Sequence, residues 1–330
     1  MRPLILALTI LSTPVWAEDV NIYSFNQSER MDPLFDAFTA KTGIDVNIAY
    51  VDKGIERLVA EGDRSPADVI MAVDMARLAE IAKAGVLQPV QSPAIDAAIP
   101  PDFRDPGGLW TAITTRARIV YAAKDRVAPG EVTTYEALVD PKWKGRICTR
   151  SGLSDYNLAL TAAMIAHHGA DYTKTWLEGI KANLARPPQG NDRDQAKAIF
   201  AGECDIALGN TYYIGQMMDE PDERPAAESL RLDFPVFEGG GTHVNISGIG
   251  MTKSAPNKEN ALKLMEFLVS PEGQKIYAEI NNEFPLLKGV ELGPVMQAWP
   301  AFTPDPVDLM EIAGDRPKAL KLMDEVDFDN

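Results

Sequence analysis

The chain has 330 residues, 45% of them hydrophobic and 24% charged, with a formal net charge of −16, two cysteines and three histidines. That length suits two domains of ordinary size, and the composition is that of globular rather than disordered protein. An acidic excess of this kind repels phosphate backbones and anionic lipid, which sets aside nucleic acid and direct membrane adsorption and leaves a cation or a small molecule as the ligand class.

In chain order, residues 1-17 carry one positive charge at Arg2, an apolar run from Leu4 to Leu11 and small residues around Ala17. This is the pattern of a secretory signal peptide, too short in its apolar part to span a bilayer, so the mature chain is expected to start near Glu18. Val20 to Phe25 alternates as a strand does. Met31 to Lys41 has helical spacing and stops at Gly43, and Ile44 to Tyr50 alternates again. A second unit follows: a helix from Gly54 to Glu61, a strand from Ala67 to Ala72, and a helix from Met75 to Ala84 ended by Gly85. Such alternation predicts an α/β fold with mostly parallel sheets flanked by helices.

Trp110 to Ala122 is a strand-like run well beyond the usual five or six residues, long enough to pass from one lobe to another. Beyond it the spacing predicts a short strand over Arg146 to Thr149 and helices over Asn157 to His167, Tyr172 to Leu184 and Arg193 to Ala201. A strand over Cys204 to Leu208 comes next, and Leu232 to Met251 reads as a return crossing. Asn257 to Leu268 and Pro271 to Ile280 are amphipathic helices, and the tail ends in a helix from Arg316 to Met323. Two lobes joined by extended crossings make a cleft with a strand hinge. The expected division is 18-115 plus 240-290 for the N-terminal lobe and 116-239 plus 291-330 for the C-terminal lobe.

Cys148 and Cys204 form an even pair in an exported chain, and the oxidising compartment favours one disulfide closing a loop of roughly 55 residues. The bridge would make the strands that carry the two cysteines neighbours. Tyr212-Tyr213 follows the second of these strands directly, and Tyr156 follows the first after a small polar turn. Ligands of open α/β sheets bind beyond the carboxyl ends of strands. Three phenols would then converge there.

Hard trivalent cations select anionic oxygen, and a metal's charge can strip the proton from a phenol whose free pKa is about 10. Three phenolates would neutralise the three charges of Fe(III). An aromatic cage for an organic cation would pair the rings with a carboxylate instead.

Several segments, in this order, resemble those of the periplasmic ferric-iron-binding proteins, type II solute-binding proteins of iron ABC importers. They are the opening strand with Tyr23; Arg64 to Val69; Arg116 to Val120; Pro141 to Arg146; Asn210-Thr211-Tyr212-Tyr213; and Ser270 to Gln274 followed by Glu283-Phe284-Pro285-Leu286. The resemblance spans nearly the whole mature chain. It implies a two-lobed periplasmic binding protein of type II and no enzyme activity. It also implies a periplasmic location, with delivery to the permease of an ABC importer in the inner membrane, and a monomer is expected.

The resemblance assigns iron binding to Tyr156, Tyr212 and Tyr213. It also implies a histidine, or a histidine and tyrosine, after the opening strand, where this chain has Asn26-Gln27-Ser28. The open coordination positions would therefore go to water or a synergistic small anion such as carbonate. Arg116, with its planar fork of donors, is the candidate to hold that anion, and Gln27 is the candidate to add an amide hydrogen bond.

His167-His168, before Gly169, reads as a helix-end pair rather than a ligand pair. Asp74 reads as a cleft residue or a helix cap, and Tyr23 as core. No nucleophile with its base, P-loop or dinucleotide fingerprint appears, which sets a two-lobed hydrolase or transferase aside. The alternative within the same fold is a binding protein for an organic ligand such as a polyamine, thiamine or a phosphonate.

Overall fold

The computed structural model describes residues 19–25 and 31–330. The expected signal peptide and Gln27 lie outside the described residues. The chain runs β1 (Val20–Ser24), α1 (Asp32–Thr42), β2 (Val46–Tyr50), α2 (Gly54–Glu61), β3 (Val69–Ala72), α3 (Met75–Lys83), α4 (Pro93–Ala98) and the long β4 (Thr111–Ala123). It continues through β5 (Ile147–Cys148), α5 (Asp155–Asn183), α6 (Asp192–Phe200), β6 (Ile206–Asn210), α7 (Thr211–Asp219), α8 (Arg224–Glu228), β7 (Leu230–Asp233) and β8 (Val244–Met251). Last come α9 (Lys258–Leu268), α10 (Pro271–Asn281), β9 (Phe284–Pro285), α11 (Pro294–Gln297) and α12 (Leu309–Glu325).

The described strands form one sheet in the order β2-β1-β3-β8-β4-β6-β5, with β7 and β9 also paired to β4. The flanks are parallel, as the alternation of strands and helices predicts: β1 with β2 and β3, and β5 with β6. The centre is antiparallel: β8 runs against β3 and β4, and β4 runs against β6. β4 pairs with β8 from Thr111 to Ala117 and with β6 from Arg118 to Ala122, so one strand serves both flanks. It is buried along its whole length.

The run Leu232 to Met251 is not one strand. It divides into the end of β7, a glycine-bearing turn in which Gly240 and Gly241 press against Asp305 and Pro304, and β8. The two helices expected on either side of Gly169 are both present as the halves of α5, separated by the non-helical backbone of Gly169, whose φ of 79° lies in the region that favours glycine. α12 begins earlier than the spacing suggests and carries Pro317 inside it.

One apolar cluster packs Val20, Ile22, Leu34 and Phe38 against Leu264, Leu268 and Ile249, holding β1 and β8 between α1 and α9. A larger one centres on β4, β6 and α5, with Trp143, Tyr121 and Tyr135 fully buried. No helix among the described residues is long and apolar enough to cross a membrane.

Cys148 and Cys204 are bonded, at a sequence separation of 56. Chain entropy over such a loop contributes about 4 kcal/mol to stability. Urea unfolding of the Cys148→Ser/Cys204→Ser variant is therefore expected to show a loss of about that size. An unchanged midpoint would mean that the bridge constrains nothing.

Candidate metal centre

The bridge sets β5 and β6 side by side, Ile147 opposite Ile206 and Cys148 opposite Ala207. Each strand runs on toward a helix whose first turn carries the tyrosines. Ser154 caps α5, accepting from the Asn157 N–H, and Tyr156 follows in the first turn. β6 passes directly into α7, with Tyr212 and Tyr213 in its first turn. Gly209 is required just before this point: a Cβ there would lie 2.1 Å from the Tyr121 ring, so any side chain would displace the end of β6.

The three phenols come together. Tyr212 Oη donates to Tyr156 Oη at 3.0 Å, and the Tyr212 and Tyr213 ring centroids are 4.2 Å apart. Tyr212 is buried, while Tyr156 and Tyr213 are half-buried. Burial pushes the Tyr212 and Tyr213 phenols above their ordinary value, and repulsion from Tyr156 adds to it. Around Tyr212, Arg116 acts in the opposite sense. Without a cation the site holds neutral phenols. A bound cation has the helix N-termini at the same place, where partial positive charge favours phenolate.

Beneath the tyrosines, alternation on β4 aims Thr114, Arg116 and Arg118 to one face. Arg118 is buried and fully engaged on one side: Nη1 donates to Asp192 Oδ2 at 2.8 Å and Asn210 Oδ1 at 3.1 Å, and Nη2 to Asn157 Oδ1 at 2.7 Å. Asp192 Oδ2 also accepts from the Asn210 N–H at 2.9 Å, so one carboxylate fixes both the guanidinium and the residue before α7. The guanidinium groups of Arg118 and Arg150 lie 5.7 and 5.0 Å from the Tyr156 ring centroid. Sequence reasoning missed Arg118, Asp192, Asn157 and Asn210. Only the two-residue spacing from Arg116 could have pointed to Arg118.

Arg116 is 2% exposed and donates through Nη1 to Ser247 Oγ at 3.2 Å, while Nη2 is buried with no partner. Burial opposes its charge most strongly, yet Glu283, Tyr212, Tyr156 and Asp74 together hold its pKa above the ordinary value. Arg118 Nε and Asn210 Nδ2 are likewise buried donors without partners. A set of phenol oxygens beside unsatisfied donors fits a hard cation with an accompanying oxyanion. Among the described residues, the three phenols come from the first turns of α5 and α7, into which β5 and β6 lead. Gln27 cannot be placed against it, since it lies outside the described residues.

His167 and His168 end the first helical half of α5, just before the break at Gly169, as the spacing predicts. Their side chains meet carboxylates: His167 Nε2 pairs with Asp305 at 2.9 Å and His168 Nε2 with Glu136 at 2.6 Å. Asp74 is a cap, accepting from the N–H groups of Ala76 and Arg77, and its Oδ2 also accepts from Asn245. Tyr23 is buried in the core with its hydroxyl on Glu61.

His243 is 1% exposed, and burial, aided by the charges of Arg118 and Arg116, depresses its pKa from 6.5 to about 3. Below pH 6.5 the unfolded chain takes up a proton that the folded chain refuses until about pH 3. Stability is therefore expected to fall with pH across that window, by about 1.4 kcal/mol per pH unit from this group. Urea melts at pH 7.5 and 5.5 should show His243→Gln losing less stability than the parent. An equal loss would assign the acid sensitivity elsewhere.

Residues 25–275 match the family of bacterial extracellular solute-binding proteins. Among curated relatives, iron uptake protein A1 of Synechocystis is 41% identical over 320 residues, 96% of this chain and 89% of that protein. Among solved structures, apo ferric ion-binding protein A of Pasteurella haemolytica superposes with a TM-score of 0.91 at 45% identity, covering 95% of this chain and 99% of that one. The Trichodesmium protein IdiA (FutA), solved with iron and citrate ligands, superposes with a TM-score of 0.88 at 43% identity, covering 93% and 99%.

Proposed function

The chain belongs to the bacterial extracellular solute-binding proteins, and on that premise we propose that it captures ferric iron in the periplasm and delivers it to the permease of an ABC importer. Iron is the cargo, and no reaction is catalysed. The observation that carries this reading is the convergence of Tyr156, Tyr212 and Tyr213 at two helix N-termini, with Tyr212 and Tyr156 hydrogen-bonded at 3.0 Å. Three phenolates match the charge of Fe(III) and leave further octahedral positions open. A small anion on the free Nη2 of Arg116, carbonate being the first candidate, completes the shell. Gln27 is proposed to add an amide hydrogen bond to the same anion.

The lobes proposed are 18-115 plus 240-290 and 116-239 plus 291-330, closing on the metal by bending of β4 and β8, which cross between them. Relatives whose names state ferric-iron binding support the choice of cargo over an organic ligand. Because each phenol must lose a proton to the metal, and burial raises Tyr212 and Tyr213, capture weakens as pH falls.

The test is a titration of the mature protein with ferric iron, with and without bicarbonate, read by visible absorbance. A phenolate-to-iron charge-transfer band that strengthens with bicarbonate is expected. Arg116→Gln should abolish the bicarbonate dependence while keeping the fold. A colourless protein under both conditions would overturn the ferric reading, and colour indifferent to every anion would overturn the role of Arg116.

A further inference from the structure

Glu283 is 4% exposed and carries a carboxylate into the centre of the molecule. It lies between α10 and β9, and β9 pairs with β4 at Thr114 and Thr115. Its Oε1 accepts from Asn281 Nδ2 at 2.9 Å, and its Oε2 accepts from Thr114 Oγ1 and from Ser247 Oγ, the latter at 3.2 Å. Ser247 Oγ in turn accepts from Arg116 Nη1 at 3.2 Å. A buried carboxylate and a buried guanidinium are thus held one hydroxyl apart.

Buried charges are costly unless compensated; burial pushes the Glu283 carboxyl above its ordinary value, while Arg116 and the hydrogen bonds from Thr114 and Ser247 favour its charged form. The spacing matters. A direct fork-to-carboxylate contact would occupy both ends of the guanidinium. With Ser247 between them, Arg116 Nη2 keeps no partner while the charge is still balanced. Arg116 is also reached electrostatically by Asp74, Tyr212 and Tyr156, but Glu283 is the strongest of these influences.

We propose that Glu283, acting through Ser247, is a positioning residue that limits how tightly Arg116 holds the anion and keeps that anion exchangeable. This rests on the ferric and anion reading above. The carboxylate offsets the guanidinium charge, so an arriving anion meets a donor fork rather than an uncompensated cation. Removing the negative charge therefore tightens the anion, and tightens a dianion more than a monoanion, because the Coulomb attraction scales with charge.

The experiment uses the full mature chain without iron. Bicarbonate and phosphate are titrated by calorimetry into the parent, Glu283→Gln, Arg116→Gln, and Arg116→Gln/Glu283→Gln. Glu283→Gln is expected to lower the Kd by about tenfold, the factor that corresponds to about 1.4 kcal/mol, with a larger gain for phosphate near pH 8 than for bicarbonate. The gain should vanish in the Arg116→Gln background. An unchanged or weaker Kd in Glu283→Gln, or a gain that persists without Arg116, overturns the proposal, as does undetectable binding to both the parent and Glu283→Gln.

Should Glu283→Gln fail to fold, the double variant, which leaves neither charge uncompensated, is expected to fold. Failure of both would show that Glu283 supports the hinge for reasons unconnected with Arg116, and would overturn the proposal. The iron titration stays separate. A colourless parent refutes the ferric reading, whereas the iron-free anion series reports on Glu283 and Arg116 alone.

Discussion

Iron titrated into a Tyr156→Phe/Tyr212→Phe variant is expected to give no visible charge-transfer band, while the protein unfolds within about 1 kcal/mol of the parent. The two hydroxyls bond to each other at 3.0 Å, so removing both leaves neither without its partner. Loss of two anionic oxygens leaves Tyr213 alone against a trivalent ion, which a single phenolate neither neutralises nor holds against water. Tyr212 is buried, and burial is the main obstacle to its ionisation, so Tyr212→Phe should shift the pH at which iron binds. A double variant that still colours with iron would place the metal elsewhere.

The second large effect is on the fold beneath the site. Asp192→Ala is expected to cost about 3 to 5 kcal/mol in urea unfolding, because it strands the Arg118 guanidinium without its carboxylate in a fully buried position. The same substitution frees the Asn210 N–H just before α7 and loosens Arg150, which bonds Asp192 at 3.5 Å. Iron affinity should fall with it by 10- to 100-fold, the scale typical when a residue that orients the ligands is lost. Asp192→Asn, which can keep the hydrogen bonds, should recover most of the stability but less of the affinity. A wild-type midpoint in Asp192→Ala would mean that Arg118 finds another counter-charge.

Much of this was legible in the chain because the signals are local. Alternation in Val20 to Phe25 and the length of Trp110 to Ala122 gave β1 and the shared strand β4, and the residues after Cys204 gave the strand-to-helix turn that bears Tyr212 and Tyr213. Pairing Cys148 with Cys204 brought Tyr156 to the same place, since a bridge between adjacent strands fixes which turns are neighbours. The contacts that stabilise the site were not legible in this way. Arg118 meets Asp192 from 74 residues away, and Arg116 meets Ser247 from 131, pairings that only the antiparallel packing of β4 and β8 and the docking of α6 create.

The histidines divide in the same way. Gly169 is a local signal for the helix end on which they sit, whereas their carboxylate partners, Glu136 and Asp305, are distant in sequence. Glu283 entered only as part of a family pattern, because nothing in Glu283-Phe284-Pro285-Leu286 by itself says that its carboxylate turns toward a buried arginine.

The most direct test of the three-phenol site is a crystal structure of the iron-loaded, bicarbonate-equilibrated protein with anomalous diffraction measured at the iron edge. The account predicts one peak at bonding distance from the Oη atoms of Tyr156, Tyr212 and Tyr213 together, with an oxyanion between that peak and Arg116 Nη2. A peak bonded to fewer than two of these phenols, or lying among His167, His168, Glu136 and Asp305, would contradict it.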